Sequence, residues 1–198
     1  MTAAPFRAVP LARPWFPGGE LQHVAAVLES GWVTQGPYVA RFEAAVAERL
    51  GLSRALACTS ATTALSMAVH ALDLPPGSEI IVPSFTFPSP VNVIIHAGHV
   101  PVFVDVDPRT YNVDTVDLAR RITPQTKAII AVHQFGLAAD MDAVAALASA
   151  HGLTIIEDGA CALGSTRHGA AIGQHGRFVA LSFHPRKVLT TGEGGILA

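Results

Sequence analysis

The sequence predicts an α/β fold in which a mainly parallel sheet is covered by helices on both faces. Short runs that are apolar throughout alternate with stretches of helical spacing, and such runs are typical of parallel strands buried between helices. Since 50% of the 198 residues are apolar and only 14% are charged, the chain can bury a large core. The predicted strands are Ala55–Cys58, Glu79–Val82, Val100–Val104, Ala128–Val132, Thr154–Glu157 and Phe178–Phe183.

Helical spacing of apolar residues predicts two helices before the first strand. The first spans Glu20–Ser30 and stops at Gly31, and the second carries one apolar stripe and stops at Gly51. Between the strands, the same spacing predicts four more helices, at about residues 61–72, 88–97, 114–122 and 140–151.

The two ends of the chain carry their own signals. Residues 1–19 contain four prolines, which lack a backbone donor and disfavour helix before them, so we expect an N-terminal arm followed by one domain over residues 20–198. At the other end, Ile196–Ala198 begins a further strand-like run. Because the sequence stops inside that run, we expect the chain to be a truncated part of a longer protein.

Composition excludes several classes of function. A net charge of −2 does not suit binding of a nucleic-acid backbone. The sequence contains no run of 18 apolar residues, which argues against a membrane span. Two cysteines, Cys58 and Cys161, form neither a disulfide framework nor a zinc site alone, so we expect a reducing cytoplasm. The nine histidines lack any dense ligand spacing, and we therefore predict no metal site.

The first candidate for chemistry is the segment Thr59–Thr63, which directly follows a predicted strand and opens a predicted helix. A helix N-terminus offers unpaired N–H groups and a positive dipole end, which suit a phosphate. The hydroxyls of Ser60, Thr62 and Thr63 add donors. Plain N-capping of the helix explains the same residues and is favoured when the segment is taken alone, and both interpretations stay open.

The second and third candidates follow later strands. Glu157 and Asp158 end a buried strand, and alternation turns their side chains opposite ways, so that one of them faces a site. Lys187, one of only two lysines, stands just after the last long strand and before a glycine-rich turn. A lysine nucleophile must be neutral, and the neighbouring Arg186 favours that form. The alternatives are an exposed acidic turn and an ordinary surface lysine.

The three candidates together make up the parts of a pyridoxal phosphate site. Such a site needs a phosphate anchor, a carboxylate partner for the pyridinium nitrogen and a Schiff-base lysine. Neither a pair of glycosidase carboxylates nor a catalytic triad explains all three.

Several motifs in order resemble the DegT/DnrJ/EryC1/StrS family of sugar aminotransferases, from about Trp15 to the end of the chain. The resemblance implies an aspartate-aminotransferase-like fold (fold type I) of a PLP-dependent transferase. It also implies a homodimer that moves an amino group from glutamate to a nucleotide-linked keto sugar. The motifs are Val82–Phe87, Ala97–Asp107, His133–Asp142 and Ser182–Gly195.

The resemblance also implies roles for single residues. Lys187 would be the Schiff-base lysine, Asp158 would be the partner of the pyridinium nitrogen, and Phe87 would stack on the cofactor ring. The loop around Trp32 and Thr34 resembles a segment near the nucleotide-sugar site. The phosphate would be held by Ala61, Thr62 and Ser182.

Three departures from the family pattern affect these expectations. Ala61 stands in place of the usual glycine of the phosphate motif, and Cys161 stands at a cofactor-contact position where glutamine is common. Family members are also much longer, so residues 20–198 would form only the large domain, without the C-terminal small domain. We therefore expect this chain to pair with a second copy and to bind the cofactor, but to turn over poorly.

Two other functions stay open as alternatives. A sugar dehydratase of the same family has histidine in place of the lysine, so Lys187 disfavours it. A regulatory or non-catalytic protein that binds pyridoxal phosphate keeps the fold and loses turnover, and Cys161 favours this alternative slightly.

Overall fold

The structure is a computed structural model that describes residues 8–10 and 12–198. Within these residues, six helices appear where helical spacing predicts them, and their bounds agree with the predicted ones to within two residues wherever residue bounds were predicted. They are α1 (Glu20–Ser30), α2 (Pro37–Leu50), α3 (Ala61–Ala71), α4 (Pro88–His96), α5 (Thr115–Arg121) and α6 (Met141–His151).

Nine strands of the described residues form a seven-stranded sheet and a separate two-stranded ribbon. In the large sheet the order is β1-β9-β8-β5-β4-β2-β3, and every pairing from β3 to β8 is parallel. The strands are β1 (Leu56–Cys58), β2 (Glu79–Pro83), β3 (Val100–Val104), β4 (Thr126–Val132), β5 (Thr154–Asp158), β6 (Thr166–Arg167), β7 (Ala170–Ala171), β8 (Phe178–Ser182) and β9 (Gly195–Leu197).

Both faces of the sheet are covered, as the continuous apolar runs predict. Within β2, Ile80 packs in the cluster under α3 and α4, whereas Ile81 packs in the cluster under α5 and α6. Ile156 and Ile155 of β5 divide between the same two clusters. Each such fully buried side chain contributes about 2 kcal/mol to folding, so the two clusters hold the strand ends in a fixed arrangement.

Strand β9 is antiparallel to both of its neighbours, β1 and β8. It fills the gap between them, and its Ile196 packs with Phe183 and with Leu50 of α2 in a third core cluster. Apolar runs predict a strand here, but they carry no information on its direction. The short ribbon of β6 and β7 is not predicted, because two-residue strands are too short to show any periodicity.

Helix α1 and the described residues before it lie outside the core. No residue of α1 is buried, and its apolar stripe of Leu21, Val24 and Leu28 is exposed. Residues 8–10 and 12–19 form neither helix nor strand, while residues 1–7 and 11 of the predicted arm lie outside the described residues. In the described part of the chain, no helix combines the length and the apolar character that crossing a membrane requires.

Candidate active site

A cavity of about 760 Å³ opens at the carboxyl ends of β4, β5 and β8. This edge is where ligands collect in parallel sheets, because the loops that leave the strands converge there. The cavity brings together seven residues from distant parts of the sequence, all of them predicted for the cofactor site: Ala61, Thr62, Phe87, Asp158, Cys161, Ser182 and Lys187.

The two residues predicted near the sugar do not line this cavity. Trp32 lies in the loop between α1 and α2, where its indole N–H donates a hydrogen bond to the carbonyl of Gln35 and its ring packs against Gly36. Both Trp32 and Thr34 are exposed. Their role at the nucleotide-sugar site therefore stays a prediction.

The N-terminus of α3 forms one wall of the cavity. The Ser60 hydroxyl accepts a hydrogen bond from the Thr63 N–H at 3.1 Å, and the Thr63 hydroxyl is in turn bonded to the hydroxyls of Ser60 and Thr59. Among the described residues, the Thr62 hydroxyl and the N–H groups of Ala61 and Thr62 have no partner. The segment thus does both things predicted of it: Ser60 caps the helix, and the next two residues leave donors open for an anion.

Gly195 of β9 explains why this wall stands so close to the sheet. A Cβ at Gly195 would lie 2.7 Å from the amide nitrogen of Ala61, and closer still to the carbonyl of Ser60. Only glycine permits this approach of the two backbones. Gly195 therefore lets the start of α3 pack directly against β9.

Asp158 ends β5 at the floor of the cavity and is only 4% exposed. Its Oδ1 accepts a hydrogen bond from the Ala160 N–H at 3.0 Å, whereas Oδ2 accepts none from the described residues. Burial raises the pKa of this carboxyl, and the Ala160 N–H and the Lys187 ammonium offset the rise only in part. The carboxylate is thus placed to accept a hydrogen bond from a cationic N–H in the cavity.

Glu157, the residue before Asp158, is fully buried and plays a different part. Its carboxylate accepts hydrogen bonds from three backbone N–H groups of residues 173–176, at 2.6–3.0 Å, and from Nε2 of His133 at 2.8 Å. Nδ1 of His133 accepts from the Ala139 N–H, which assigns the imidazole proton to Nε2. Burial alone would raise the pKa of Glu157, but these hydrogen bonds outweigh it and hold that pKa below its ordinary value.

His133 lines the cavity and is a site residue that sequence reasoning missed. It lies in the motif His133–Asp142, which was used only to identify the family. The structure makes it a rigid part of the wall, because both ring nitrogens are bonded and its backbone N–H donates to the Asp158 carbonyl at 3.0 Å.

Lys187 lies in the turn after β8, where its backbone N–H donates to the His184 carbonyl at 2.9 Å. The side chain is half-buried, and Nζ donates a hydrogen bond to Sγ of Cys161 at 3.1 Å. The predicted lysine and the residue that replaces the usual glutamine are therefore in direct contact.

Aromatic side chains form the rim of the cavity. Phe87 is 72% exposed, and beside it Phe85, Tyr111 and Phe135 form a cluster with ring centroids 5.4–6.1 Å apart. Tyr111 and Phe135 adopt φ values of 60° and 54°, in the left-handed region that side chains rarely occupy. Of these four aromatic residues, only Phe87 is predicted from the sequence to contact the cofactor.

The model of the DegT/DnrJ/EryC1/StrS aminotransferase family matches residues 18–198. The chain belongs to this family. The resemblance predicted from the motifs is thereby confirmed.

Two curated relatives match nearly the whole of this DegT/DnrJ/EryC1/StrS family member. The chain is 44% identical over 189 residues to the spore coat polysaccharide biosynthesis protein SpsC of Bacillus subtilis (strain 168), covering 96% of this chain and 49% of that protein. It is 40% identical over 190 residues to the GDP-perosamine synthase of Caulobacter vibrioides, covering 96% of this chain and 51% of that enzyme. The chain therefore spans about half the length of these relatives.

A solved structure named as a sugar aminotransferase of Streptococcus pneumoniae, in its PLP-form, has the same fold. It is 33% identical to this family member and superposes with a TM-score of 0.90, covering 96% of this chain and 52% of that one. The predicted fold class, an α/β aminotransferase fold with a mostly parallel sheet, is confirmed.

The polar groups of the cavity fit pyridoxal phosphate. Open N–H groups and a free hydroxyl at the start of α3 suit its phosphate, and the unpartnered oxygen of Asp158 suits its protonated ring nitrogen. Lys187 is the only amine that lines the cavity among the described residues, and the exposed ring of Phe87 offers a flat apolar surface. The start of α3, Oδ2 of Asp158 and the ring of Phe87 thus each offer, among the described residues, a free group or surface to one part of the cofactor.

Proposed function

We propose that this chain is the cofactor-binding part of a pyridoxal phosphate-dependent aminotransferase, which moves an amino group from glutamate to a nucleotide-linked keto sugar. Lys187 is its Schiff-base residue. The single observation that carries the proposal is the cavity in which Lys187, the free oxygen of Asp158 and the open N-terminus of α3 meet. Residues 20–198 constitute the large domain of that enzyme, and residues 1–19 its arm.

The phosphate is held at the start of α3. The N–H groups of Ala61 and Thr62 and the hydroxyl of Thr62 donate to it, and the dipole of the helix favours its negative charge. Ser182, which lines the same cavity at the end of β8, supplies a further hydroxyl. These contacts fix the position of the ring relative to the lysine.

Asp158 holds a proton on the ring nitrogen. Its buried carboxylate has one oxygen without a donor, so a cationic N–H in the cavity relieves an unfavourable burial of charge. When bound, pyridoxal phosphate supplies an electron sink for the bond broken at the α-carbon of the amino donor. A protonated ring nitrogen strengthens that sink, and Asp158 is the residue that maintains it.

Lys187 provides the amine. Its Nζ is bonded only to a thiol among the described residues, so it is not committed to a salt bridge and can reach a carbonyl carbon. The same nitrogen lines the cavity and would serve as the base that takes the proton from the α-carbon of the amino donor.

Support for the substrates comes from the relatives and from the rim of the cavity. One named relative is a spore coat polysaccharide biosynthesis protein and the other is a GDP-perosamine synthase, which supports a sugar nucleotide as the amino acceptor. The guanidinium of Arg186 lines the cavity and can form a bidentate pair with a carboxylate, which supports an anionic donor such as glutamate.

A homodimer is the proposed assembly. Leu21, Val24 and Leu28 form an apolar stripe on α1, and Leu21 is 85% exposed. A stripe of this kind at helical spacing is typical of a surface that packs against another chain. The two free thiols, Cys58 and Cys161, support a reducing cytoplasm as the compartment.

The glutamate half-reaction tests the proposal without any sugar substrate. The chain is loaded with pyridoxal phosphate, freed of excess cofactor and incubated with glutamate, and released 2-oxoglutarate is measured. We expect one equivalent per bound cofactor from the unchanged chain and from Lys127→Met, and none from Lys187→Met. Cofactor binding without any 2-oxoglutarate would favour a non-catalytic binding protein, and absence of binding would contradict the proposal.

A further inference from the structure

Lys187 and Cys161 form a contact within the cavity that the proposed function does not use. They are 26 residues apart in sequence, one after β8 and the other after β5, and Nζ lies 3.1 Å from Sγ. Both side chains line the cavity. Among the described residues, Sγ of Cys161 is the sole hydrogen-bond partner of the Lys187 amine.

Lys187 is bonded to Cys161 and forms no salt bridge with the nearby carboxylate of Asp158. Asp158 lines the same cavity, is more than nine-tenths buried and keeps Oδ2 unpartnered, yet no salt bridge within 4.0 Å joins it to Lys187. An ammonium and a carboxylate in one cavity attract each other. The amine of Lys187 nevertheless lies against the thiol of Cys161, which is its observed partner.

An ion pair between these two residues would block both of their proposed roles. Asp158 would no longer have a free oxygen for the ring nitrogen, and the ammonium of Lys187 would be held in its unreactive protonated form. A weak acceptor such as a thiol holds the amine in place without such a commitment, because its hydrogen bond is easily exchanged. The resemblance to the family implies that glutamine is common at this position, whereas this chain has the weaker acceptor.

We propose that Cys161 is a positioning residue that keeps the amine of Lys187 away from Asp158, so that both groups stay available to the cofactor. This inference rests on the proposed function, in which those two residues contact the cofactor. Cys161 itself exchanges no proton with the substrate and forms no covalent bond.

Alkylation of the cofactor-free chain tests whether Cys161 lies in the cofactor cavity. Iodoacetamide is added with and without pyridoxal phosphate, and modified peptides are quantified by mass spectrometry. Cofactor at a hundred times its dissociation constant leaves about one hundredth of the chain open, so we expect alkylation of Cys161 to slow roughly 100-fold. Cys58, half-buried like Cys161 but not lining the cavity, is the internal control and should change little. Equal alkylation of Cys161 in both samples would overturn the proposal.

The rate of covalent cofactor loading tests the positioning itself. Pyridoxal phosphate is mixed with the chain, samples are quenched with borohydride at intervals, and the adduct on Lys187 is measured. Loss of one hydrogen bond predicts that Cys161→Ala slows loading about threefold to tenfold. Cys161→Ser keeps an acceptor and should recover part of the rate, while Cys58→Ala should load like the unchanged chain.

A double-mutant cycle separates this role from a merely structural one. If Cys161 acts by preventing the pair of Lys187 with Asp158, then Cys161→Ala should have no effect on loading in an Asp158→Asn chain. An undiminished effect in that background, or an unchanged rate in the single variant, would overturn the inference. By contrast, failure of the unchanged chain to load cofactor on Lys187 would overturn the proposed function.

Discussion

Glu157 and Asp158 are adjacent at the end of β5, yet their surroundings shift the pKa values of the two carboxyls in opposite directions. Alternation along the strand turns them to opposite faces of the sheet. Glu157 meets four hydrogen-bond donors and belongs to the structure, whereas Asp158 meets one donor and belongs to the cavity. One dipeptide thus contains a structural group and a functional group.

Replacing Asp158 by Asn should stabilise the cofactor-free chain at neutral pH. The folded-state pKa of Asp158 is raised, so ionisation of the buried carboxyl opposes folding once the pH exceeds the ordinary carboxyl range. We expect Asp158→Asn to raise the free energy of unfolding by about 1–3 kcal/mol at neutral pH. The gain should vanish at acid pH, where the carboxyl is protonated in both states. Urea unfolding at the two pH values measures it.

Glu157→Gln is the matched control, and its effect on the free energy of unfolding should have the opposite sign. The pKa of Glu157 is lowered in the folded state, so its contribution to stability is present above the ordinary carboxyl range and is lost as the pH falls. We expect this variant to lose about 3 kcal/mol at neutral pH, because the amide cannot accept from all four donors. Equal destabilisation by both variants would contradict the different roles of the two residues.

The two threonines at the start of α3 should separate cofactor binding from stability. The Thr62 hydroxyl has no partner among the described residues, so Thr62→Val should change stability by less than about 0.5 kcal/mol. Loss of a hydrogen bond to a charged group should lower cofactor affinity about 10-fold to 100-fold. Thr63→Val removes contacts with two neighbouring hydroxyls and should lower stability by about 1 kcal/mol with little effect on affinity. Fluorescence titration and urea unfolding distinguish the pair, and the reverse pattern would contradict the assignment.

Gly195→Ala should displace the start of α3, where the phosphate is proposed to bind, and so weaken cofactor binding. The new methyl group would collide with the backbone of Ser60 and Ala61 and force α3 away from β9. We expect losses of about 1–3 kcal/mol in stability, together with weaker cofactor binding. Ile196→Val, one residue along the same strand, should lower stability by about 1 kcal/mol through lost burial but leave binding intact. Unchanged binding in Gly195→Ala would show that the contact does not position the helix.

The sequence predicts the elements of this fold more completely than the geometry of its site. Helix α1 and strand β3 have the predicted bounds, because caps and short apolar runs are local signals. The antiparallel direction of β9 depends on which strands it joins. Alternation predicts that Glu157 and Asp158 point opposite ways, but which of the two faces the cavity depends on which loops cover each face of the sheet. His133 and the contact between Cys161 and Lys187 likewise require distant segments to meet, so no pattern within one segment reveals them.

Borohydride trapping with peptide mapping tests the central claim, that Lys187 is the residue that bonds to pyridoxal phosphate. The chain has only one other lysine, Lys127, which is exposed and donates a hydrogen bond from its Nζ to the Pro124 carbonyl at 2.9 Å. The chain is loaded with the cofactor, reduced and digested, and the pyridoxyl group is located by mass spectrometry. Our account predicts the group on Lys187, with no adduct in Lys187→Met. An adduct on Lys127, or on neither lysine of a chain that binds the cofactor, would contradict it.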